Sequence, residues 1–192
     1  MDITLMTISS WVLLVFIALS FFDGVYYHIW KFRLQERTDS QFEHITHTVR
    51  AVLFVPTLFL IYGMGVQGTL VWGLFAVLTL DLIAEIFDVL NEKSSRSKIG
   101  GLPSTEYLAH IFLTSLRVTA LALAFAALPK TAWQTGSSTH LVLPEISKLV
   151  VDLTLPGAII IAFLHIYLIF DAHFISRTEK LIRSYCCANK VN

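Results

Sequence analysis

Between Asp81 and Glu92 the chain sets four carboxylates, Asp81, Glu85, Asp88 and Glu92, at spacings of 4, 3 and 4 within a stretch otherwise apolar enough to cross a membrane. That spacing keeps all four on one helical face. A carboxylate at the centre of a bilayer costs about 2.5–3.5 kcal/mol on insertion scales, and is retained where it is paired, hydrated or bound to a cation. The stripe therefore demands a bundle around it, with positive partners on neighbouring helices, and marks its face as a candidate site.

Of the residues, 55% are hydrophobic and 15% charged, and the mean hydropathy is +0.68. Too little polar surface remains to coat a soluble domain of this length. Five apolar segments, 5–28, 47–66, 69–91, 105–128 and 148–173, each approach the ~20 residues needed to cross a hydrocarbon core. The expected fold is all-α: an integral membrane bundle of five transmembrane helices forming a single domain over residues 1–192. The first segment lacks the basic start and small-residue cleavage site of a secretory signal and reads as a retained span. Lys31, Arg33 and Arg37, then Lys93, Arg96 and Lys98, then Arg177, Lys180, Arg183 and Lys190 fall on one side, against Lys130 and Lys148 on the other. The bias predicts an outside N-terminus and a cytosolic C-terminus. Trp11, Trp72 and Trp133 then sit near the outer boundary and Trp30 near the inner one. Cys186 and Cys187 are adjacent in the cytosolic tail, where a disulfide is not expected. Pro56 and Pro156 lie inside spans and are expected to kink them or free backbone carbonyls. Net charge is zero, and no nucleic-acid partner is expected.

If the third and fourth spans turn near Ile99, residues equally far from it lie at similar depth. Asp81 then matches Arg117, Asp88 matches His110, and Glu92 matches Glu106. A first hairpin centred near Glu36 sets Asp23 level with Arg50 and His28 level with His44. Asp81–Arg117 and Asp23–Arg50 are expected ion pairs that hold the bundle in register. The remaining ionisable residues gather toward the inner face, and only His140 falls in the outer loop. Bland roles fit some of them: Ser40 and Glu43 form a capping box, Glu106 favours a helix dipole, Glu92 lies near water, and His28, His44 and His173 suit an interface.

Glu43 with His47 and Glu106 with His110 are spaced i, i+4, which aims two ligands at one point. The expected metal ligands are His47, His110 and His165, with Glu85 and Asp88 as primary or bridging carboxylates. His28, His44, Glu43, Glu106 and His173 are expected to add ligands or to orient them. The segment Glu43-His44-Ile45-Thr46-His47 does not match HExxH, because the glutamate precedes both histidines and these are three apart. In its donor types the set is similar to di-iron helical bundles, though their ExxH pairs are missing. Imidazole plus carboxylate suits iron, with zinc second, and haem is a third cofactor to test. The function expected is that of a membrane-embedded metalloenzyme with its site near the cytosolic leaflet, a non-haem iron oxidoreductase acting on a lipid-like or membrane-soluble substrate. An electron-donor protein is an expected partner beside the lipid bilayer and that hydrophobic small molecule. The alternatives are a zinc-dependent membrane hydrolase, a haem-binding electron carrier and a proton or metal-ion transporter.

Overall fold

The computed structural model describes the backbone of residues 1–31, 37, 40–97, 100–137 and 141–188, and side chains as far as residue 170, that of Ile29 excepted. Helix α1 runs Ile3–Phe22, starting at Asp2, whose carboxylate accepts from the Leu5 amide at 3.0 Å. It continues as a π-helical segment, Asp23–Lys31. Helix α2, Gln41–Leu58, carries Pro56 in its last turn and also runs on into a π-helical segment, Phe59–Met64. Helices α3 (Thr69–Ser95) and α4 (Ser104–Ala127) follow, then a 3₁₀ turn at Lys130–Trp133 and the long α5, Glu145–Ala188, with Pro156 inside it. No strand occurs among the described residues.

Five helical stretches, Ile3–His28, Gln41–Met64, Thr69–Ser95, Ser104–Ala127 and Glu145–Phe170, are long and apolar enough to cross a membrane. The second begins earlier than the apolar run from residue 47 suggests, because Glu43 is buried against Arg96 rather than left in a polar loop. The expected turn centre at Ile99 and the loop residue His140 lie outside the described residues.

The helices close into a ring. α1 lies along α4, α2 along α3, and α5 bridges α2 and α1. α3 and α4, although consecutive, pack less closely than these pairs and meet chiefly through side chains, Arg117 on Asp81 and Glu85 and Thr114 on Glu85. One end of this ring is an apolar core of Met6, Leu58, Ile61, Val71 and Leu74 against Ala120, Ala124 and Ala127. The small residues on α4 let α1 approach closely, as helices packed in an apolar medium favour. Its few buried hydroxyls are satisfied: Ser9 Oγ donates to Ala120 O at 2.7 Å and pairs with Tyr62 Oη at 2.7 Å, and Ser10 pairs with Ser147 at 2.7 Å. Gly68 turns the chain from α2 into α3 with φ +63°, and a Cβ there would meet Ser137 O at 2.7 Å. At the other end the buried side chains are charged.

Candidate metal centre

Arg96 caps α3 and is 0% exposed. Gly100 and Gly101, at φ 97° and 86°, turn the chain beneath it, and the Gly101 amide donates to Arg96 O at 2.9 Å. The guanidinium forks two ways. Nη1 and Nη2 donate to Glu43 at 2.7 and 2.8 Å, while Nη2 and Nε donate to Glu106 at 2.5 and 3.1 Å. One side chain thus ties α2, α3 and α4. Burial opposes its charge, but hydrogen bonds and charges from Glu106 and Glu43 outweigh that and hold its pKa above the ordinary guanidinium value. The capping box is not formed: Ser40 makes no side-chain cap and instead accepts from Ser95 Oγ at 2.8 Å. Glu43 goes to the stronger, charge-assisted partner.

The acidic stripe of α3 faces inward, with Asp81, Glu85, Asp88 and Glu92 all buried. Arg117 donates to Asp81, the expected pair, and also to Glu85. Arg50 does not meet Asp23. It lies 3.6 Å from Asp81, 3.5 Å from Glu85 and 3.4 Å from Asp88. Equal depth places two residues on one level but says nothing of which helices are neighbours, and the ring sets α1 beside α4 and α5 while α2 faces α3. Thr114 and Thr46 complete the layer, donating to Glu85 at 2.8 Å and Asp88 at 2.7 Å.

Asp23 belongs to the histidines. Its Oδ2 is 3.4 Å from His28 Nε2 and 3.5 Å from His110 Nε2. Asp23 and His28 share a face because the segment between them is π-helical, with i→i+5 bonding in place of i→i+4. His110 Nδ1 lies 2.6 Å from Glu92, not at Asp88 as its depth suggested. His47 Nε2 sits 3.4 Å from Asp88 and 3.9 Å from Glu43, and its ring packs edge-on against His28 at 4.5 Å. Three triads have ligand atoms within 4.8 Å of one another: Asp23, His28 and His110; His28, Glu43 and His47; Glu92, Glu106 and His110. The buried Nε2 atoms of His28, His47 and His110 have no hydrogen-bond partner. Beside them lies a cavity of about 50 Å³, reached by Asp23, His47, Asp88, Glu92 and His110; one water needs about 10–15 Å³.

Of the residues singled out from the sequence, His28, His47, His110, Glu43, Glu85, Asp88 and Glu106 share this polar core. His44 and His165 form a separate stacked pair between α2 and α5, centroids 5.2 Å apart. His173 is on α5, but its side chain lies outside the described residues. Sequence reasoning missed Arg96 as a buried anchor and Asp23 as a histidine partner. A signal for Arg96 was present, since it stands four residues beyond Glu92 and extends the same face of α3. Comparison with protein-family models, curated proteins and solved structures gave no match.

Proposed function

We propose that the chain is an integral membrane metalloenzyme, N-terminus outside and C-terminus cytosolic, whose metal lies near the cytosolic leaflet. His28, His47 and His110 would supply imidazole nitrogens, and Asp23 and Glu92 carboxylate oxygens. Glu43, Glu106, Glu85 and Asp88 are engaged by arginines or threonines and would hold the frame or complete the ligand set. The observation that carries this reading is the convergence of three imidazole nitrogens that lack hydrogen bonds on carboxylates in overlapping triads. Such groups are costly to bury unsatisfied, and a cation held by Asp23, His28 and His110, or by His28, Glu43 and His47, would satisfy the nitrogens of that triad.

The donor set suits iron, and the proposed activity is non-haem, oxygen-dependent oxidation of a lipid-like or membrane-soluble substrate, with electrons from a donor protein. The cavity beside the imidazoles, with room for a few waters, also favours a zinc hydrolase as the second reading, since zinc lowers the pKa of its bound water to about 7. Transport has less support. The opposite end is a close-packed apolar core whose buried serines and Tyr62 are hydrogen-bonded to one another or to backbone, and no polar path continues through it among the described residues.

Elemental analysis and the visible spectrum of purified protein test the reading. Iron without a Soret band is expected, and His28→Ala, His47→Ala and His110→Ala should each lower bound metal at least fivefold. Equal metal content in wild type and all three variants overturns the site, a Soret band replaces it with haem, and zinc alone moves the reading to the hydrolase. For orientation, with Cys186 and Cys187 changed to Ser, Thr135→Cys should react with an impermeant thiol reagent on intact cells and Ser97→Cys should not; the reverse pattern inverts the topology.

A further inference from the structure

The cavity beside the histidines is not enclosed on every side. Backbone packing joins α1 to α4, α2 to α3, and α5 to both α1 and α2, whereas α3 and α4 are joined chiefly by the side chains of Arg117, Thr114 and His110 on Asp81, Glu85 and Glu92. At that seam the cavity wall consists of Val89 on α3 and Leu113 and Thr114 on α4. Val89 is 59% exposed and Thr114 is exposed as well. The same residues therefore line the cavity and form the outer surface of the bundle. Around them that surface is apolar, with Ile86 and Leu90 on one side of the seam and Ile111 on the other. In a bilayer such a surface faces acyl chains, so the opening is lateral.

Two features restrict what enters. The cavity, at about 50 Å³, holds a head the size of a hydroxyl or carbonyl with a few waters, not a phosphodiester with its substituents. Its surroundings are also anionic. Seven buried carboxylates, Asp23, Glu43, Asp81, Glu85, Asp88, Glu92 and Glu106, face three arginines set among them, Arg50, Arg96 and Arg117. Among the described residues the carboxylates outnumber these arginines by four, more than one divalent cation at the histidines would offset. An anionic head would meet repulsion at short range in a medium of low dielectric constant.

We propose that the α3–α4 seam is a lateral portal for an uncharged single-chain amphiphile, a long-chain alcohol or aldehyde by class, whose polar end reaches the histidine cluster while its chain lies along Val89 and Leu113. The inference rests on the reading of the cluster as a reaction centre, and supplies the substrate class for it.

The test uses the full chain in phosphatidylcholine vesicles with a hexadecanol that carries a diazirine near its hydroxyl end. After irradiation, adducts are mapped by mass spectrometry, and bound metal is measured on the same samples. Adducts concentrated in residues 85–92 and 110–117 are expected. Leu113→Trp should fill the mouth and lower them at least fivefold without loss of metal, and Val89→Trp, at an exposed position that tolerates bulk, should do the same should Leu113→Trp fail to fold. Unlabelled hexadecanol should compete at least tenfold better than hexadecanoate or hexadecylphosphocholine. Adducts spread evenly over the lipid-facing helices, adducts unchanged in the folded tryptophan variants, or equal competition by the charged amphiphiles would overturn the portal. Selective adducts on a protein whose metal content ignores the histidines would support the portal while overturning the metalloenzyme.

Discussion

The two ends of this bundle are held together by opposite means. At the apolar end, Leu58, Leu74 and Met6 are 0% exposed and interlock with the alanines of α4; the few polar atoms there find partners within a turn or on the facing helix. At the charged end the buried side chains are mostly ionisable, and packing is replaced by arginine forks: Arg96 across three helices, Arg50 and Arg117 along the stripe. The difference shows in what is left over. Buried nitrogens without a hydrogen bond on His28, His44, His47, His110 and His165 all belong to the charged end. A fully satisfied network rigidifies, whereas one with several unsatisfied donors has a place for something else.

The largest effect expected is at Arg96. Arg96→Met leaves Glu43 and Glu106 buried without their counter-ion, a loss on the order of 3–5 kcal/mol, read as a collapse of the melting temperature in detergent. Combining it with Glu43→Gln and Glu106→Gln should recover much of the loss, and Arg96→Lys should not, because a lysine cannot fork to both carboxylates. Wild-type melting of Arg96→Met would mean that the charged end contributes no hold on the bundle.

Next come Arg117 and Asp81. An isolated pair would give equal single losses and full rescue in the double variant. The observed sharing of Arg117 between Asp81 and Glu85 predicts otherwise: Arg117→Gln should cost about 3–5 kcal/mol, Asp81→Asn less than half as much, and the double variant should recover only part. Thermal unfolding of the three proteins decides between network and pair.

At the apolar end, Gly68→Ala should cost about 1–3 kcal/mol through its positive φ and the approach of Ser137 O, with bound metal unchanged. The smallest effect is Ser9→Ala. It removes hydrogen bonds to Tyr62 and Ala120 O, and such bonds between membrane helices average about 0.6 kcal/mol. Metal loss in either variant would show the two ends to be coupled rather than separate.

The sequence by itself determined the number of helices, their approximate bounds, the inward acidic face of α3 and the pairing of Asp81 with Arg117. These depend on local hydropathy, on helical periodicity and on depth, all of which are functions of position along the chain. The start of α2 was misjudged because hydropathy treats Glu43 as a charge in need of water and cannot see Arg96 waiting for it. Tertiary structure alone decided which helices are neighbours, and hence that Asp23 meets His28 and His110 while Arg50 joins the stripe. It also decided that a π-helical segment turns Asp23 and His28 to one side, and that His44 and His165 stand apart from the triads. The reason is geometric: depth fixes one coordinate of a side chain, while its partners depend on the order of helices around the ring, a property of no single segment.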